Sequence, residues 1–277
     1  MATGYDQGRN HNPYQQNGND QNAREMHDIN NHNDHQFDHN QDNNEYHLIN
    51  DNQEFAGLSK SSRMGFIRKV YCIISVQLIT TAIFVVLSTV SEGYRLFVLS
   101  NPLYFYLSFA LSLCSLLPLV CSPQLARNVP TNYLLLGVFT LAESYMVSVI
   151  TTYYTATSVL MAAVLTAAVV VALTVYAFTT DTDFTYMGGM LSVGLLLLLV
   201  ASVLGWFFTS RIYELMLCVA GTFLFGVYLI YDTQLIMGGH GKAASYSLDD
   251  YVIAAINVYL DIINIFIYIL RIIGSKR

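Results

Sequence analysis

The chain has 277 residues, 54% of them hydrophobic and only 12% charged, with a mean hydropathy of +0.43. A soluble domain carries roughly 25% charged residues, so the deficit points to a membrane protein. The net charge of −6 sums a polar N-terminus and an apolar body, and no basic stripe interleaved with aromatics supports nucleic-acid binding.

Residues 1–62 are rich in Asn, Asp, Gln and His, with scattered aromatics (Tyr5, Tyr14, Phe37, Tyr46) and a single proline, Pro13. Such a composition cannot bury a core and is expected to form a disordered tail ahead of a membrane domain over 63–277. His11, His27, His32, His35, His39 and His47 lie here, with His32 and His35 the closest pair. Weak metal binding fits them, and compositional bias fits at least as well. The charged-then-apolar layout of a cleavable signal peptide is missing.

Order is expected from about Lys60. Seven apolar runs follow: Val70–Val90, Pro102–Cys121, Asn132–Thr152, Thr157–Phe178, Met187–Phe208, Tyr213–Met237 and Val252–Ile273. Each is near the 20 residues that cross a hydrocarbon core of roughly 30 Å, and the short links predict antiparallel neighbours. The fold class expected is an all-α integral membrane protein. Tyr153, Tyr154, Trp206, Phe207 and Phe208 fall where an interfacial aromatic belt is expected. Cys72, Cys114, Cys121 and Cys218 lie in or beside apolar segments, with no pair at metal-ligand spacing. They read as small hydrophobes and fix no redox compartment.

Lys60, Arg63, Arg68, Lys69, Arg127 and Lys242 fall on one side of this topology, Arg95 and Arg211 on the other. The positive-inside rule then places the N-terminus in the cytosol. Seven crossings leave Arg271, Lys276 and Arg277 on the far side. The alternative is a re-entrant last segment; seven crossings is the favoured reading.

The stretch from Gly221 to Gly274 holds the chemistry. Its two apolar segments each carry one acid, Asp232 and Asp261, and an aspartate at the centre of a membrane helix costs roughly 2.5–3.5 kcal/mol. Asn257, Asp261, Asn264 and Tyr268 recur at spacings of four, three and four, so they share one helical face. Asp232 lies roughly 8 Å and Asp261 roughly 14 Å from the cytosolic ends of consecutive antiparallel helices, so the carboxyls could meet there. Two such groups share a proton, titrate in separated steps, and could sense pH or bind a cation. Alternatively, each aspartate is an interhelical structural pin.

Glu143, mid-span in the third segment, either lines an ion path or packs as a hydrogen-bonded core residue. Arg127 is a candidate latch onto a carboxylate, or simply an orientation signal. Glu214 complements a helix N-terminus, whereas Asp181, Asp183, Asp249 and Asp250 read as solvated loop residues. Outside the tail the one histidine is His240, so a Ser–His protease or a histidine-ligated metal hydrolase lacks its imidazole. The last span has no lysine for a retinal Schiff base. The loop from Gly238 to Lys242 lacks P-loop spacing and reads as a flexible turn. No enzyme and no cofactor are expected.

With these residues in place, the chain resembles the Bax-inhibitor/Lifeguard family, nearer its Lifeguard branch. The matching stretches are Gly65–Tyr71 with Ser75–Gln77, Phe139–Glu143, Ile230–Gln234, and Tyr251–Gly274 with its Asn257–Asn264 motif. The resemblance implies six helices wrapped around a central seventh. It also implies a pH-sensitive Ca²⁺ leak from an intracellular store, controlled by an aspartate pair that matches Asp232 and Asp261. Related bacterial members imply an arginine latch, for which Arg127 is the match. Further implications are suppression of cell death and a place in endoplasmic reticulum or Golgi membranes. The leading expectation is a passive Ca²⁺ conductance with Asp232 and Asp261 as sensor and Ca²⁺ ligands. Asn257, Asn264 and Glu143 would line the path or polar core. Partners are membrane lipid, Ca²⁺, and other membrane channels or cell-death regulators. The rival readings are a non-transporting scaffold and a proton-coupled transporter.

Overall fold

A computed structural model describes residues 60–205, 207, 210–238 and 245–277. The histidine-bearing tail, Trp206, Phe208, His240 and Lys242 lie outside the described residues. Among the described residues, seven helices are long and apolar enough to cross a membrane. They are α1 (Lys60–Val90), α3 (Leu103–Cys121), α5 (Thr131–Thr152), α6 (Ala156–Thr179), α7 (Gly188–Leu204, entered through a 3₁₀ turn over Phe184–Met187), α8 (Arg211–Met237) and α9 (Tyr251–Ile273). Two short helices, α2 (Glu92–Ser100) and α4 (Pro123–Arg127), occupy links.

The ends of these helices follow local chemistry. Ser91 and Thr155 accept from the backbone N–H of Tyr94 and Ser158, the usual N-cap bond. Gly238 terminates α8 with φ +57°, a conformation open to glycine. The first helix begins ten residues before its apolar run, because hydropathy marks only the part that suits lipid. Arg63, Arg68 and Lys69 are good helix formers. Phe66, Val70, Ile74, Gln77 and Thr81 continue one buried stripe at spacings of four, four, three and four. The hydropathy profile also missed α2 and α4, which are too short to register, and overran α7 by four residues.

Helices α1 and α5 cross in the same direction. Three bonds report it with a constant sequence offset: Gln77 Nε2 to Thr140 Oγ1 (3.1 Å), Thr81 Oγ1 with Ser144 Oγ (2.9 Å), and Ser88 Oγ with Thr151 Oγ1 (2.8 Å). Each pair is 63 residues apart, as only parallel neighbours can sustain. Buried hydroxyls and amides join membrane helices in this way because lipid offers them no partner. The fully buried Tyr259 of α9 extends the ladder through its hydroxyl to Thr81, 2.9 Å away.

The last helix is the axis of the bundle. Its most apolar window is 61% buried, against 11% to 50% for the other spans. Beyond α9 the chain docks on the α5–α6 link: Thr155 N–H donates to Ser275 O (3.1 Å) and Arg277 N–H to Tyr153 O (3.0 Å). One end of α9 therefore meets α4 and the other meets the opposite end of α5. It runs the full depth of the bundle and does not turn back. On the face toward α8, Tyr268 lies over Gly221, where a Cβ would stand 2.5 Å from the ring. The missing side chain is what lets the two helices approach.

Candidate functional site

Asp232 stands five residues before the end of α8 and Asp261 ten after the start of α9, about 7.5 Å and about 15 Å along their axes. The helices are antiparallel, so these depths bring the two side chains together. Each residue is only 4% exposed. Their carboxyls hydrogen-bond to one another, which takes one proton between them. Asp261 Oδ2 is buried with no hydrogen-bond partner. Beside the pair is a cavity of about 370 Å³, to which Tyr228, Tyr231, Asn257 and Leu260 contribute walls.

The four residues of the α9 stripe do different things. Asn257 Nδ2 donates to the Tyr246 hydroxyl (2.7 Å), and that hydroxyl donates to Asp232 Oδ1 (3.0 Å). Asn264 turns its amide back to Leu260 O of its own helix (2.8 Å). Tyr268 packs against Phe225 as well as Gly221. Glu143 is outside this cavity: on the face of α5 toward α3 it accepts from Ser112 Oγ (2.7 Å).

Arg127 is not on the aspartate pair. Its Nε and Nη2 donate to Asp250 Oδ1 (2.8 Å) and Oδ2 (3.1 Å), a two-pronged ion pair at the start of α9. Asp250 is about 16 Å of helix rise away from Asp261, beyond an arginine's reach. The hydrogen bond and charge of Asp250 push the Arg127 guanidinium above its ordinary value. Asp250, expected to be solvated, is only 18% exposed.

Two residues at this end were not singled out from the sequence. Tyr246 belongs to the α8–α9 link yet directs its hydroxyl at the acids. Burial and the neighbouring Asp232 carboxyl push its phenol well above the usual value, so it remains a donor at neutral pH. Arg63, counted only as an orientation signal, reaches from α1 to three carbonyls, Leu235 O (2.6 Å), Tyr246 O (2.6 Å) and Met237 O (3.0 Å). Those of Leu235 and Met237 are among the last carbonyls of α8, which have no partner within the helix. A weak signal existed: an isolated tyrosine in a short link next to two intramembrane acids.

Residues 63–277 match the family described as "Inhibitor of apoptosis-promoting Bax1". The chain belongs to the Bax inhibitor/Lifeguard family. Protein lifeguard 3 from Homo sapiens is 35% identical over 219 residues, covering 78% of this chain and 70% of that protein. Its counterpart from Mus musculus is 34% identical over 218 residues, covering 77% and 70%. Protein lifeguard 4 from Mus musculus is 38% identical over 217 residues, covering 78% and 87%. The Bax inhibitor/Lifeguard match starts at Arg63, so the arginine on the α8 carbonyls lies within it and the polar tail does not.

Proposed function

We propose that this chain is a passive, pH-sensitive Ca²⁺ leak of an intracellular membrane, with Asp232 and Asp261 as its gate. The observation that carries the reading is the hydrogen-bonded carboxyl pair, buried between α8 and α9 beside a cavity and near one end of the bundle. With one proton between them the acids hold the helices together. Without it, two like charges face each other in a poorly hydrated site, where their repulsion is strong, and α9 is driven away from α8. Carboxyl, amide and phenol oxygens around the cavity are hard ligands suited to Ca²⁺. Arg63, Arg68, Lys69 and Arg127 lie at this end, which supports a cytosolic N-terminus and a gate opening to the cytosol. The family description favours a role in restraining cell death, and the membrane proposed for the leak is that of the endoplasmic reticulum or Golgi.

One observation favours a second reading. The same hydrogen bond would also serve as a pin in a scaffold that moves no ion and instead binds other channels or cell-death regulators. Purified protein in liposomes, assayed for Ca²⁺ flux across pH, separates the two. The leak predicts flux that rises as the pair loses its proton, and a flattened pH profile for Asp232→Asn and Asp261→Asn. No flux from folded wild-type protein, or an unchanged profile in both variants, sinks the gate. Uptake driven by an imposed pH gradient would instead identify a proton-coupled transporter.

A further inference from the structure

We propose that Tyr246, held from α1 by Arg63, is a stopper that closes the aspartate pair off from water at its own end of the bundle. The inference builds on the reading of that pair as a gate and supplies the part that covers it. Ser245, Ser247, Leu248 and Asp249 are all exposed, and Tyr246 alone among them turns inward. Each of its polar groups is engaged inside the protein. Its N–H donates to Leu235 O (3.1 Å) and its C=O accepts from Arg63 Nη1 (2.6 Å). Its hydroxyl donates to Asp232 Oδ1 and accepts from Asn257 Nδ2. Its ring is packed against the hydrophobic core and forms a wall of the cavity that holds both acids. A link residue with three polar groups committed to partners on α1, α8 and α9 is fastened there, and a water path to the pair has to displace it.

Arg63 is the fastening. Its guanidinium bridges the end of α8, at Leu235 and Met237, to the link, at Tyr246. Charged donors make the stronger hydrogen bonds, and a planar fork can serve several acceptors at once. Gly238 makes room for it: a Cβ there would stand 2.5 Å from Arg63 Nη2, and the +57° φ disfavours any side chain. Two distant points of the sequence therefore meet at one turn, an arginine 183 residues from the tyrosine it holds. Opening requires the guanidinium to release the Tyr246 carbonyl and the phenol to leave Asp232 and Asn257.

Thiol accessibility tests this without measuring any ion flux. Cys72, Cys114, Cys121 and Cys218 are replaced by alanine, Leu260→Cys is introduced in the cavity wall, and the reconstituted protein is exposed to a charged, water-soluble methanethiosulfonate. Labelling is expected to be slow with Tyr246 in place, at least about 10-fold faster with Tyr246→Ala, and faster also with Arg63→Gln, which leaves the tyrosine intact. A background rate in Tyr246→Ala, in protein with unchanged helical circular dichroism and a monodisperse elution profile, overturns the stopper. A background rate in Arg63→Gln alone removes Arg63 from it. Amide exchange in the unmutated protein gives a second reading: Tyr246 should be protected at least about 100-fold more than Ser245 and Ser247. Exchange as fast as these neighbours refutes the closed link. Because labelling needs no conductance, the stopper can fail while the leak stands, and the leak can fail while the stopper stands.

Discussion

Gly238 closes α8 with φ +57° and ψ −158°, and the Arg63 guanidinium occupies the space a side chain would need. Replacing it with alanine should cost energy in two separable ways. The backbone conformation is nearly exclusive to glycine, and holding another residue there costs about 1–3 kcal/mol. The new Cβ would meet Arg63 Nη2 at 2.5 Å and Cζ at 2.7 Å, so the guanidinium must move off its three carbonyls. At about 1 kcal/mol net for each half-buried bond, that loss approaches 3 kcal/mol. Gly238→Ala alone should therefore destabilise by about 5 kcal/mol. In an Arg63→Gln background, with shorter side chain and no fork to displace, it should cost only the strain, about 2 kcal/mol. Equilibrium unfolding in mixed detergent micelles, followed by circular dichroism for the four members of the cycle, measures the difference. Costs that add within about 0.5 kcal/mol would mean the two residues do not share this turn, and the clamp would have to be abandoned.

Further outcomes follow from other contacts. Gly221→Ala should overpack the α8–α9 contact by forcing the Tyr268 ring aside, at about 1–3 kcal/mol, and Tyr268→Leu should relieve most of it; unfolding midpoints of both variants test this. Arg127→Gln should leave the pH profile of flux where it is, because Arg127 bonds Asp250 and not the aspartate pair; a displaced midpoint would restore it as the latch. The Tyr246 phenol, pushed well above its ordinary value by burial and the Asp232 carboxyl, should show no tyrosinate step below about pH 10 in a wild-type-minus-Tyr246→Phe absorbance difference. Its folded value lies above the unfolded one. Its contribution to stability is therefore whole below about pH 10 and is lost as pH rises through the folded value.

Much of this protein is determined by its sequence alone, because a bilayer charges each residue a local transfer free energy. Leu, Ile, Val and Phe in runs of about 20 mark the spans, and an acid within such a run is conspicuous. Asp232 and Asp261 were legible for that reason, and the helical period already placed Asn257 and Tyr268 beside Asp261. The meeting of the two acids followed from short links and antiparallel neighbours. Tertiary structure alone decided the rest. Which carbonyl a guanidinium finds is a contact across 172 to 183 residues, and neither hydropathy nor periodicity carries information at that range. Arg63, Arg127 and Lys69 look alike as basic residues at a membrane edge. Folding sends the first to the end of α8, the second to Asp250, and the third over the Tyr251 ring, 3.2 Å from its centroid. Tyr246 shows the same limit: its polar link reads as solvent-facing, and it is inside only because α1, α8 and α9 converge to offer partners for its backbone and hydroxyl.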